Sequence, residues 1–204
     1  MRGGILVIGA GGHGKVVADI FRCLGQPVYG FLDDDPATWG TTRLGLPVLG
    51  AVDRWHVYAP TGLVLGIGEI AARTQIVERL GACAAGLWCN AVHPRATVAA
   101  SACLGRGIVV VAGAVVNPDA TLGDHSIVNT GATVDHDCVV GAHAHIGPGA
   151  HLAGGVQVGP EAFIGMGANV TPWRTIGHGA VVGAGAVVVH DVPCHVTVKG
   201  IPAR

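Results

Sequence analysis

Residues 98–134 read VAASACLGRGIVVVAGAVVNPDATLGDHSIVNTGATV, and every sixth residue is aliphatic: Val98, Leu104, Val110, Val116, Leu122, Val128 and Val134. The series continues without a break through Val140, Ile146, Leu152, Val158, Ile164, Val170, Ile176 and Val182 to Val188. An amphipathic helix repeats at about 3.6 residues and a half-buried strand at about 2, so neither accounts for this period. A six-residue repeat marks a parallel β-helix in which each hexad makes one flat side of a coil. The position two residues before each aliphatic is usually small, as at Ala96, Ala102, Ala114, Ala120, Ser126, Ala132, Ala144, Ala150, Ala162, Ala168, Ala180 and Ala186. Small side chains suit a tight coil whose neighbours stack with little interior room. The C-terminal half is therefore expected to be an all-β solenoid of hexapeptide repeats.

Composition agrees and excludes several classes. Charged residues are 12% of the chain and 34 residues are glycine, as frequent turns around a stacked aliphatic interior require. The mean hydropathy of +0.53 raises the question of a membrane. The apolar run from Ile108 to Val116 is too short to span one and is interrupted by Gly113, so no membrane insertion is expected. Met1-Arg2-Gly3-Gly4 leads straight into a strand-like run rather than a cleavable signal. The formal net charge is −1 and no basic cluster is present, which argues against nucleic acid as a partner. Cys23, Cys83, Cys89, Cys103, Cys138 and Cys194 form no C-x-x-C pair or disulfide framework. Most of them are expected to be small buried residues in a reducing compartment, in a soluble, cytoplasmic protein.

The first eighty residues follow another pattern. Ile5 to Ala10 reads as a buried strand, followed by a glycine-rich turn and an amphipathic helix to about Leu24. Val28 to Leu32 is a second strand ending at Asp33-Asp34-Asp35, with further strands expected at Leu46–Leu49 and Gly62–Gly68. Residues 69–80 show helical spacing with an end signal at Gly81. Strand, glycine turn, helix, strand opens a Rossmann-like βαβ domain. The organisation expected is an α/β domain over residues 1–82 and a β-helix with its tail over 83–204.

Gly9, Gly11 and Gly14 satisfy G-x-G-x-x-G, with Asp33 at the end of the next strand. Glycines there let backbone amides approach a pyrophosphate at a helix N-terminus, and the acid can bind a ribose hydroxyl. A dinucleotide needs two mononucleotide halves, and about eighty residues do not supply them. A single nucleotide diphosphate carrying a sugar fits the space better than NAD, and a purely structural tight turn is the other alternative.

The order G-A-G-G-H-G-K-V-V, F-L-D-D-D, N-T-G-A-T-V-D-H-D-C-V-V-G and V-K-G-I-P-A-R covers essentially the whole chain. It resembles the sugar acetyltransferases of the sialic acid O-acetyltransferase and bacillosamine-pathway type, whose members N-acetylate nucleotide-linked 4-amino sugars. The resemblance implies a left-handed coil, a homotrimer, acetyl-CoA in grooves between neighbouring β-helices, and a role in surface glycan biosynthesis. It also implies a nucleotide-linked amino sugar bound on the N-terminal domain, with its sugar reaching the coils.

Acetyl transfer from a thioester needs a base, a group to steady it, and donors for the oxyanion. His136 is the candidate base. It lies two residues after Val134, between Asp135 and Asp137, where a corner of the coil would project it outward. The family has a histidine followed by glutamate here. Asp137 stands in the glutamate's place, one methylene shorter, and leaves open whether it or Asp135 orients the imidazole. With coils of about eighteen residues, Gly154 falls beside His136 in the next coil, where its amide could donate to the oxyanion or thioester carbonyl. By resemblance, His145 and the tail residues Lys199 and Ile201 contact acetyl-CoA, with His143 and His151 equal to His145 by chemistry, and Asn129 belongs to the active-site strand or to a structural stack of amide side chains in the coil. Asp33 and Asp34 anchor the nucleotide, His13 and Lys15 lie near the phosphates, with a surface place on the first helix the equal alternative for Lys15, and Arg73 on the second helix belongs to the substrate site.

Other readings fare worse. A γ-carbonic-anhydrase-like zinc enzyme would need converging histidines, and the spacing of His143, His145 and His151 is wrong for it, so no metal is expected. An ice-binding solenoid would carry one Thr per coil in a ladder, which Thr97, Thr121, Thr133, Thr171 and Thr175 do not form. Sialic acid or other sugar O-acetylation is the alternative within the enzyme class.

Overall fold

The computed structural model describes residues 4–204, and Met1-Arg2-Gly3 of the leading tetrapeptide lies outside the described residues. The chain forms two compact units, Met1–His93 and Pro94–Arg204.

In the first unit β1 (Ile5–Ile8) leads into α1 (Gly12–Cys23) and then β2 (Val28–Leu32). A short antiparallel ribbon, β3 (Thr42–Arg43) and β4 (Leu46–Pro47), precedes β5 (Gly62–Leu65) and α2 (Ile70–Ala84). The sheet is parallel in the order β2-β1-β5. The central strand β1 is buried along its whole length, which is why it reads as a continuous apolar run rather than an alternating one. Leu6, Ile8, Leu32, Leu63, Leu65, Ile76 and Leu80 close one core between sheet and helices. The expected strand at Leu46–Leu49 is shorter than its apolar pattern. It ends at Pro47, and Val48 makes a single bridge to Phe31. At Gly81 the backbone leaves helical geometry (φ 52°, ψ −149°) before one more turn reaches Ala84.

Two turns meet at the C-terminal edge of this sheet, and glycine lets them touch. A side chain at Gly14 would collide with the carbonyl of Gly9, and one at Gly66 would lie 2.6 Å from the Gly14 Cα. The β1–α1 and β5–α2 turns are therefore packed backbone to backbone, the close helix–strand approach that the third glycine of the motif permits.

In the second unit each coil advances by eighteen residues and stacks in register on the one before. Val98, Val116, Val134, Leu152, Val170 and Val188 form one column, and Leu104, Leu122, Val140, Val158 and Ile176 a second. Val110, Val128, Ile146, Ile164 and Val182 form the third, which ends on Val198 after a shorter, sixteen-residue step. Ala114, Ala120, Ala132, Ala144, Ala150 and Ala162 are fully buried beside these columns. The tail folds back on the last coil, with the Ala203 amide donating to Val187.

The corners have a rule that hydropathy does not display. From Val110 onward, three residues before each interior aliphatic the backbone turns left-handed, at Gly or at Asp119, His125, Asp137, His143, Glu161, Trp173 and His195, whose φ lies between 57° and 61°. Asp and His tolerate this region better than most residues. The cysteines depart from expectation: Cys138 is buried and Cys89 half-buried, but Cys23, Cys83, Cys103 and Cys194 are exposed. Cys103 shows why, since it directly precedes the aliphatic Leu104 in a two-residue strand and so points outward.

If the stacked columns carry the stability, Ile164→Ala, at a fully buried position, should cost about 2–5 kcal/mol. Val139→Ala, 40% exposed on the outer face, should cost less than about 1 kcal/mol. Equal shifts of the urea midpoint for the two variants would contradict the register.

Candidate active site

His136 and Asp137 occupy the second corner of a coil, where the left-handed backbone at Asp137 reverses the chain. The reversal brings the two side chains together. His136 Nδ1 lies 2.8 Å from Asp137 Oδ2. A carboxylate can only accept, so Nδ1 carries the proton and Nε2 keeps its lone pair. The ring is 54% exposed, and that bond, with weaker help from Asp135, raises its pKa above the ordinary histidine value. Asp135 makes a different set of bonds. Its Oδ1 accepts from the His136 backbone N–H at 2.8 Å and from Asn117 Nδ2 at 2.8 Å. Those donors, the backbone N–H first, hold its carboxyl below the usual range. Of the two flanking carboxylates, Asp137 orients the imidazole and Asp135 caps its backbone.

Gly154 lies where the eighteen-residue arithmetic puts it. A Cβ there would stand 2.5 Å from His136 Cε1 and 2.6 Å from Nε2, so the imidazole rests against the glycine backbone. Asn129 and His145 meet on another side of the coil, Asn129 Nδ2 donating to His145 Nε2 at 3.1 Å. His145 is 8% exposed and packs edge-on to Phe163. In the tail, the amides of Lys199 and Arg204 each donate to the other's carbonyl, and Ile201 is 77% exposed.

In the first unit a cleft of about 400 Å³ opens between the two glycine turns. It is lined by Gly9, Gly11 and His13 on one side, Asp33 and Asp34 at the end of β2, and Gly66 to Glu69 opposite. This is the crevice beyond the carboxyl ends of the strands where the strand order reverses, the usual ligand position in such sheets. Gly11 begins α1 with no side-chain cap, so its first amides face an open space fit for an anion. The other helix start is filled, because Glu69 accepts from the Ala71 and Ala72 amides. Asp33 accepts from the Ala10 amide at 2.7 Å, fixing the glycine turn, and Asp34 accepts from the Val52 amide and pairs with Arg79.

Three first-unit residues take a position or a charge state that the motif does not display. Lys15 is exposed on α1 and does not line the cleft. Arg73 is fully buried and donates to Gly68 C=O at 2.8 Å and to Ile67 C=O. It therefore shapes the cleft wall from behind. Burial lowers its pKa to about 10, still cationic at neutral pH. His13 lines the cleft as a neutral group, since burial and the Arg73 charge push it down to about 4. Burial is invisible in a motif, and a charged residue at helical spacing gives no sign of which way it points. Asn117 was missed altogether, though it stands eighteen residues before Asp135 and the repeat could have found it. Among the described residues no group of three or more His, Cys, Asp or Glu side chains could hold a metal ion, and no helix is long and apolar enough to cross a membrane.

Comparison with known proteins places both units. Residues 4–80 match the PglD N-terminal domain, and residues 137–172 match the bacterial transferase hexapeptide family (six repeats). A histidine variant of perosamine N-acetyltransferase from Caulobacter crescentus, solved with CoA and GDP-perosamine, is 43% identical with a TM-score of 0.93, covering 100% of this chain and 97% of that one. The acetyltransferase domain of PglB from Neisseria gonorrhoeae, solved with acetyl coenzyme A, is 43% identical with a TM-score of 0.90 and 98% of its chain covered. UDP-N-acetylbacillosamine N-acetyltransferase of Bacillus subtilis is 34% identical over 111 residues, 53% of this chain and 51% of that enzyme, so the match spans about half its length. With similarity to the two solved structures running the length of the chain, the protein belongs to the hexapeptide-repeat sugar acetyltransferases of the bacillosamine-pathway type.

Proposed function

We propose that the chain transfers the acetyl group of acetyl-CoA to the amine of a nucleotide-linked 4-amino-4,6-dideoxy sugar for surface glycan biosynthesis, with His136 as general base. The observation that carries the reading is the His136–Asp137 pair at 2.8 Å on a hexapeptide coil, its ring exposed and seated on Gly154. The full-length similarity to enzymes crystallised with CoA and an amino-sugar nucleotide supports it.

The chemistry follows from the tautomer. The amine nitrogen attacks the thioester carbonyl carbon as Nε2 of His136 takes its proton, and Asp137 stabilises the imidazolium that forms. The Gly154 backbone beside the ring is the proposed donor to the carbonyl oxygen as it gains negative charge. Breaking the C–S bond releases the CoA thiolate, which recovers the proton from His136.

The first-unit cleft is the proposed nucleotide site, with the diphosphate at the uncapped start of α1 and Asp33 and Asp34 toward the nucleoside. His145, Asn129, Lys199 and Ile201 are proposed to contact acetyl-CoA or its acceptor. A homotrimer is proposed as the assembly, supported by the exposure of Met166, Trp173 and Ile201 on the second unit. Activity in the cytoplasm fits the two small-molecule substrates.

Thiol release from acetyl-CoA, followed with UDP-, GDP- and dTDP-4-amino-4,6-dideoxy sugars, should occur with one of them and fall about a hundredfold or more in His136→Ala. Release with free sialic acid instead would move the enzyme to O-acetylation. A normal rate in His136→Ala would remove it as the base.

Gly154→Ala should also lose about tenfold or more in kcat, because the added methyl displaces the ring from its productive place. Full activity in this variant would contradict the seat.

Only neutral His136 can accept a proton, and its pKa is raised, so the acidic limb of kcat/KM should lie above pH 6.5. Asp137→Asn removes the main cause of the shift. The limb should then move to lower pH as the plateau rate falls, and an unmoved limb would show that the carboxylate does not act on the base.

A further inference from the structure

A groove of about 390 Å³ runs along one flat side of the coils, beginning at the residue just before His136. Its lining mixes apolar Leu152, Val170 and Pro172 with polar side chains that the repeat sets in rows. Thr133, His151 and Asn169 stand one coil apart in one row. Asp135, Ala153 and Thr171 follow the same spacing in a second row. Ala153 contributes only a methyl group, so the second row is notched, with a carboxylate on one side and a hydroxyl on the other. Thr133 Oγ1 and His151 Nδ1 share a hydrogen bond of 2.9 Å, and Thr171 Oγ1 donates to Val188 C=O at 2.9 Å. The walls are thus fixed.

Asp135 stands out among them. Both of its hydrogen bonds, from Asn117 and from the His136 backbone, fall on Oδ1, and no described residue is bonded to Oδ2. Steadying the imidazole does not require it, because Asp137 holds Nδ1. An ionised carboxylate pinned beside the base, at the head of a largely apolar groove, suits a cationic partner. A primary alkyl amine is mostly ammonium at neutral pH, as the lysine reference value of about 10.4 illustrates. A sugar hydroxyl is neutral.

We infer that the groove receives the acceptor sugar and that Asp135 Oδ2 binds its ammonium group, making Asp135 the residue that selects an amine over a hydroxyl. This deepens the acetyltransferase reading and rests on it. The ammonium gives up one proton to water before it can attack. The neutral nitrogen then forms the C–N bond and passes its second proton to His136, and the C–S bond breaks to leave thiolate. His136 returns its proton to that sulfur. The ammonium sugar and acetyl-CoA thereby yield the amide, free CoA thiol and one proton in solution.

The test uses the full chain, the amino-sugar nucleotide that the wild type turns over, and the counterpart bearing a hydroxyl at carbon 4 as a competitive inhibitor. Asp135→Asn keeps an oxygen for Asn117 and for the His136 amide while removing the charge. It should raise KM for the amine about tenfold or more, the worth of a charge-assisted hydrogen bond. The kcat should stay within about threefold, with KM for acetyl-CoA and the inhibition constant of the hydroxyl analogue unchanged, the pattern of lost ground-state binding. Equal weakening of both ligands, or an unchanged amine KM, would overturn the inference while leaving the acetyltransferase standing. Absence of wild-type turnover on every amino sugar would overturn both. Should Asp135→Asn not fold, Asn117→Ala serves instead. It frees the carboxylate from its anchor and should raise the amine KM without moving the hydroxyl inhibition constant, whereas loss of both would overturn the assignment.

Discussion

The stacking of each coil on the last, in parallel register eighteen residues apart, is the constraint on which the second unit depends. Adjacent parallel strands lie about 4.8 Å apart, so every residue has a neighbour one coil on that sequence distance would not suggest. The buried aliphatic columns set this register and the polar pairs inherit it. Asn117 reaches Asp135, Thr133 reaches His151, and Gly154 lies under His136, each eighteen residues away. A slip of one residue would turn the aliphatics outward and separate all three pairs together. The geometry of the candidate site is in that sense a by-product of how the hydrophobic interior stacks.

The first unit reaches its site by a different route, through close approach of two backbone turns. Glycines 9, 14 and 66 leave no room for side chains between them, and the cleft they border is electrostatically sparse. His13 is neutral, Arg73 is sunk behind the wall, and the Asp33 and Asp34 carboxylates already accept backbone amides. An anion there would be met chiefly by backbone N–H groups at the start of α1, which bind by direction and partial charge and need no flexible cation.

Much of this was legible in the residues alone because it follows from period. The sixfold aliphatic repeat announces the solenoid, and adding one coil length to His136 finds Gly154. What period could not decide depends on local backbone or on burial. Asp135 and Asp137 flank the histidine symmetrically in the sequence. The left-handed corner at Asp137 turns one carboxylate onto Nδ1, and the extended backbone before His136 sends the other toward the preceding coil. Lys15 and Arg73 fit their motifs equally well, yet one faces solvent and the other lies within the core. Cys103 shows the converse, since a residue type that is usually buried takes whichever face its place in the hexad dictates.

The central claim is that the coil register and the Asp137 corner present a histidine whose Nδ1 is protonated and whose Nε2 is free. Nitrogen NMR of the His136 ring through a pH titration tests it directly. The account predicts the Nδ1–H tautomer in the neutral form, protonating at Nε2 with a pKa above 6.5. An Nε2–H tautomer, or a pKa at or below that of a free histidine, would contradict it.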